Sequence, residues 1–135
     1  MFEGACLCGE IRYRVDGKIE EFSHCHCSMC RQIHGAAFGT YAGVKSAGFR
    51  WLSGVSKIKS YDSSDGVHRT FCANCGSTLQ ALFDDEPDMI YLTMGTVQGN
   101  PVHPEPFHIF VGSKAPWFTI TDDFLQYDKW RDNPA

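Results

Sequence analysis

Hydrophobic and polar positions along this chain alternate in short runs, and stretches with a period of three to four are scarce. Ile11, Tyr13 and Val15 are interleaved with Arg12 and Arg14, the period of two that turns one face of a strand to a core and the other to water. Residues 37–44, 49–52, 57–61, 67–71, 77–83, 89–94 and 108–111 are further strand candidates. Gly54, the run Asp62-Ser63-Ser64-Asp65-Gly66 and the run Asp85-Glu86-Pro87-Asp88 supply turn chemistry between them. Within residues 99–106, Pro101, Pro104 and Pro106 exclude helix and central strand. One short helix is predicted over residues 28–34, with Ser28 as its N-cap. The pattern predicts a mainly β fold of antiparallel strands with one short helix. From Asp122 onward the chain is polar, with Phe124, Tyr127 and Trp130 as anchors.

Composition narrows the function classes. With 135 residues, 43% hydrophobic and 21% charged, residues 1–135 read as one globular domain. A net charge of −4 and scattered Lys and Arg count against nucleic-acid binding. No run approaches the roughly 18–20 apolar residues of a membrane helix. Met1-Phe2-Glu3-Gly4 has neither the basic nor the apolar region of a secretory signal, so a cytoplasmic location is expected. Thiols stay reduced there, and the seven cysteines read as metal ligands rather than disulfides.

The cysteines divide into four plus three. Cys6-Leu7-Cys8-Gly9 and Cys72-Ala73-Asn74-Cys75-Gly76 are two hooks. In each, the closing glycine can take the positive φ that turns amide groups toward sulfur. Four thiolates make a closed tetrahedral zinc site that would clamp the N-terminal strand to the middle of the chain. A redox-active pair would need a βαβ context that this chain lacks. Cys25-His26-Cys27-Ser28-Met29-Cys30 supplies three thiolates from one turn, the third from the start of the predicted helix. A fourth ligand is either His24, His26 or His34, which would make a second structural zinc, or water or substrate at an open position, where chemistry can occur. Three thiolates make the ion soft and favour a substrate sulfur. Arg31 is the only obvious cation near the triplet, His103 and His108 are candidates to reach a pocket, and His68 reads as a structural side chain in a strand.

The runs Gly4-Ala5-Cys6-Leu7-Cys8-Gly9, Cys25-His26-Cys27-Ser28-Met29-Cys30-Arg31, Phe71-Cys72-Ala73-Asn74-Cys75-Gly76 and His108-Ile109-Phe110-Val111-Gly112-Ser113-Lys114-Ala115-Pro116-Trp117 resemble the glutathione-dependent formaldehyde-activating enzyme family, which includes centromere protein V relatives. That resemblance implies a β-tent of packed antiparallel sheets and two zinc ions per chain. It implies a structural zinc on Cys6, Cys8, Cys72 and Cys75, and a catalytic zinc on Cys25, Cys27 and Cys30. It also implies carbon–sulfur lyase chemistry on S-hydroxymethylglutathione or a similar thiol–aldehyde adduct. The expected partner is therefore a small thiol or its adduct, with water, His34 or His108 moving the proton. Because Arg31 stands alone, a smaller or less charged thiol is expected to suit the site better than glutathione. The alternatives are a non-enzymatic zinc-stabilised module that binds a protein partner, and a zinc lyase or hydrolase unrelated to thiols.

Overall fold

The computed structural model describes residues 1–132. Its elements are β1 (Phe2–Ala5), β2 (Arg12–Val15), β3 (Glu21–Cys25), α1 (Ser28–His34), β4 (Gly39–Lys45), β5 (Phe49–Ser53), β6 (Ile58–Ser64), β7 (Val67–Cys72), β8 (Thr78–Phe83), β9 (Met89–Thr93) and β10 (Phe107–Ile109). Strands β1, β2 and β5 form a small sheet, and the others form a larger one in the order β10-β3-β4-β9-β8-β7-β6. The fold is mainly β, as the alternation predicts. Pairing is antiparallel except between β3 and β10, which run parallel. That pairing makes the larger sheet mixed, because β10 returns to β3 only after the proline-rich segment.

The period of two decides what each face of the larger sheet does. On one face Ala42, Val44, Ile90 and Leu92 pack against Phe2, Tyr13 and Val15 of the small sheet. Tyr13, Val44 and Leu92 are fully buried there. On the other face the registers align Ser23 with Tyr41 and Phe107, Cys25 with Ile109, Arg69 and Tyr91 each with Ala81, and Val67 with Phe83. This second face carries the cavity described below.

Helix α1 has the predicted bounds, but its N-cap is Cys27, whose Sγ accepts from the Cys30 amide at 3.3 Å. Ser28 is displaced from the cap because the helix begins on the triplet itself, and a thiolate there takes an amide that would otherwise lack a partner. Gly35 closes the helix in the left-handed conformation, with φ 59°. Strands β1 and β3 were not foreseen. In β3 the inward residues are Ser23 and Cys25, whereas the side chains that advertise a strand, Phe22 and His24, lie on the other face. Among the described residues no helix is long and apolar enough to cross a membrane.

Candidate active site

The two hooks meet at the small sheet's edge. Gly9 and Gly76 both have positive φ, 79° and 81°, and the Gly9 and Gly76 amides donate to the carbonyls of Cys6 and Cys72 at 3.1 and 2.8 Å. Those turns aim Cys6, Cys8, Cys72 and Cys75 at one point, with all four Sγ atoms within 4.8 Å of one another. Sulfur separations are 3.5 Å for Cys6–Cys8 and 3.9 Å for Cys8–Cys72. Four sulfurs placed tetrahedrally at about 2.3 Å from zinc would lie about 3.8 Å apart, so the donor set fits. Amides of Ile11 and Cys75 donate to Cys6 and Cys72 at 3.4 and 3.5 Å. Such donors offset the negative charge of four thiolates.

Cys25, at the end of β3, Cys27, at the cap, and Cys30, in the first turn of α1, form the second cluster with the same close sulfur spacing. Among the described residues no histidine nitrogen or carboxylate joins this group. The three thiols are unequal: hydrogen bonds from Cys25 and then Cys30 lower the Cys27 pKa. The same hydrogen bond to Cys27 raises that of Cys25. Both clusters could hold a metal ion, and the all-sulfur donors suit a soft one such as zinc.

Arg69, from the centre of β7, reaches this cluster although it is only 5% exposed. Its Nη1 donates to the Tyr41 hydroxyl at 2.8 Å, its Nε to Ser63 Oγ at 2.9 Å, and its two Nη atoms lie 3.7 and 3.8 Å from Cys30 Sγ. Tyr41 Oη is also 3.4 Å from Cys30 Sγ and 2.9 Å from His34 Nε2. Burial and then the Arg69 charge hold the His34 pKa below its ordinary value, which keeps the imidazole neutral near pH 7.

The triplet, Tyr41 and Arg69 border a cavity of about 320 Å³, and His34 stands behind Tyr41 outside its lining. Its lining includes Cys25, Cys27, Cys30, Tyr41 and Arg69, with Met29, Phe83, Tyr91, Phe107, Ile109, Phe110 and Trp130 as apolar walls. Ring contacts brace the walls: Phe110 and Trp130 centroids are 4.9 Å apart, and Phe83 and Tyr91 5.5 Å. Neither Arg31 nor His103 nor His108 lines this cavity. Arg31 sits on α1 with its Nε buried and unpaired. Sequence reading missed Arg69 and Tyr41. The signal was Val67, Arg69 and Phe71 at alternate positions of one strand, which sets an arginine on an otherwise apolar face.

His108 points to the opposite side of the sheet, where it is 1% exposed. Its Nδ1 is 2.8 Å from Nε2 of His26, and its Nε2 lies 3.0 Å from both carboxylate oxygens of Asp122. His26, between Cys25 and Cys27, is fully buried. The chain His26–His108–Asp122 therefore ties the triplet hook to the C-terminal segment. His24 pairs with Thr40 at 2.8 Å on the same side, and His68 bridges Asp62 and Asp84 as a structural side chain.

The sequence profile described as "Glutathione-dependent formaldehyde-activating enzyme" matches residues 1–113. The chain belongs to that family. A Halomonas elongata protein named "Putative glutathione-dependent formaldehyde-activating enzyme" is 30% identical over 129 aligned positions, covering 89% of this chain and 81% of the relative. An "Uncharacterized lyase" of Schizosaccharomyces pombe is 28% identical over 98 positions, covering 73% and 69% respectively. A crystal structure of a Rhodobacter sphaeroides protein superposes with a TM-score of 0.62 at 20% identity, over 73% of this chain and 89% of that one. That similarity bears on the fold. Family membership and a relative named as a lyase support an enzyme whose partner is a small thiol.

Proposed function

We propose that this family member is a carbon–sulfur lyase that forms or cleaves a thiol–aldehyde adduct at the cavity over Cys25, Cys27 and Cys30. The observation that carries the reading is a three-sulfur cluster with no fourth protein ligand among the described residues, opening into a cavity with apolar walls. A module serving only to bind a protein needs no such cavity. In this reading Cys6, Cys8, Cys72 and Cys75 hold a structural zinc, Cys25, Cys27 and Cys30 hold a second one, and residues 1–135 act as one domain in the cytoplasm. Zinc held by Cys25, Cys27 and Cys30 would supply a soft Lewis acid suited to sulfur.

The chain's own residues do the rest. Arg69 offsets thiolate charge at Cys30 and holds the Tyr41 hydroxyl in place. In cleavage, the electron pair of the carbon–sulfur bond stays on sulfur while the adduct's hydroxyl becomes a carbonyl. The hydroxyl proton passes to His34 through Tyr41, the hydrogen-bonded pair beside the cluster. Adduct formation runs the same steps backward. An adduct filling the apolar-walled cavity would displace water from the sulfur, which strengthens each of these interactions.

Metal analysis tests the two roles. The wild type is expected to carry two zinc ions, and Cys27→Ser to stay folded with one. Cys6→Ser or Cys72→Ser should lose folded protein, because binding at a structural site is part of the folding free energy. One zinc in a fully loaded wild-type preparation contradicts the assignment. His34→Gln should slow adduct cleavage and leave thiol binding unchanged.

A further inference from the structure

The cavity's chemistry also bears on which thiol it takes, an inference that rests on the thiol–adduct reading above. Its walls are ring-rich, and large apolar groups remain exposed at its rim: Met29 is 39% exposed and Trp130 54%. An occupant with an apolar body would cover both, and burial of that area favours binding. The charges around the cavity point away from an acidic ligand. Among the described residues three carboxylates line it, from Glu21, Glu86 and Asp132, against two cations, Arg69 and Arg131.

Both cations already face partners within the protein. Arg69 is engaged by Tyr41, Ser63 and Cys30. Arg131 lies 3.8 Å from the Glu21 carboxylate, with its guanidinium 4.6 Å above the Phe107 ring. Glu86, in the cavity lining, accepts from the Tyr91 hydroxyl at 2.8 Å. Burial, with Glu86 nearby, already raises the Glu21 pKa against the pull of Arg131. A further carboxylate would add to this excess of like charge.

We propose that the thiol bound at this site carries an aromatic or branched apolar group and no carboxylate, with Glu21 and Glu86 setting the discrimination. Glutathione, which carries two carboxylates, is then a poor occupant despite the family's name. The zinc-loaded protein is to be titrated by calorimetry at fixed pH with benzyl mercaptan, its twin 4-(mercaptomethyl)benzoate, and glutathione. The first should bind at least tenfold more tightly than the second, and glutathione no better than the second. The double variant Glu21→Gln, Glu86→Gln should narrow the gap between the twins, and an unchanged gap would overturn the role given to these two carboxylates. Equal or tighter binding of the carboxylated twin or of glutathione overturns the substrate class while leaving thiol chemistry in place. Heat from none of the three would instead overturn the thiol reading, and this inference with it.

Discussion

Replacing Arg69 by methionine keeps most of the side chain's length and removes its charge, so it isolates the electrostatic part of the triplet. Arg69 lies 3.7 Å from Cys30 Sγ and donates to Tyr41 at 2.8 Å from a site only 5% exposed. Two unit charges at about that separation attract by about 4 kcal/mol at an effective dielectric of about 20, and desolvation of the guanidinium cancels part of this. A charged hydrogen bond of this kind contributes about 1.5–3 kcal/mol net. A loss of that size weakens metal binding roughly 10- to 100-fold, the range expected when a partner of the ligands is removed. Competition between the zinc-loaded protein and a chromophoric chelator separates the two classes of ion. The weaker class, at Cys25, Cys27 and Cys30, should shift by that factor while the four-cysteine class stays put. Arg69→Lys should fall between, since it keeps the charge without the fork that serves both Tyr41 and Cys30. Unchanged affinity of the weaker class in a folded Arg69→Met protein would refute the reasoning.

Two further outcomes follow from the other face of the sheet and from the small sheet. Burial, then the neighbouring His108, hold His24 and His26 down to about 4, against about 6.5 in an unfolded chain. Above about pH 6.5 these imidazoles are neutral in both states, and as pH falls toward about 4 the unfolded chain alone takes up protons. Stability is therefore lost across that window at up to about 1.4 kcal/mol per pH unit for each proton. Denaturant unfolding with metal content monitored should show a shallower slope for His24→Asn, and equal slopes would count against the assignment. Gly4→Ala should destabilise the fold, because a Cβ at Gly4 would run into the Tyr13 ring and lie 2.6 Å from the Thr96 carbonyl oxygen. An overpacking cost of about 1–3 kcal/mol should lower Tm by several degrees, and a Tm equal to wild type would contradict that packing.

Much of the architecture was legible because binary pattern and turn residues carry it locally. Strand β2 alternates cleanly between Arg12 and Arg14 and the buried Tyr13 and Val15, and the glycines closing the hooks have the positive φ that their spacing implies. The same holds for the grouping of cysteines, since short spacings fix which sulfurs one ion can reach. What escaped was whatever depends on contacts between distant segments. The parallel return of β10 to β3 pairs His108 with His24, and no local pattern reports it. That pairing removes His108 from the cavity and makes it a link between His26 and Asp122. Arg31 is next to Cys30 in sequence, yet Arg69, thirty-nine positions away, supplies the guanidinium. A helix turns neighbouring side chains about 100° apart, whereas the sheet brings an alternate-face residue of β7 to the same cavity.

The central claim is that the triplet leaves one coordination position that sulfur fills. Cobalt placed at Cys25, Cys27 and Cys30, with zinc kept at the four-cysteine site, reports this through its sulfur-to-metal charge-transfer band. Adding one equivalent of benzyl mercaptan should raise that band from three-sulfur to four-sulfur intensity while the ion stays tetrahedral, and Cys27→Ser should abolish the response. A band already at four-sulfur intensity without added thiol, or one that saturating thiol leaves unchanged, would contradict the account.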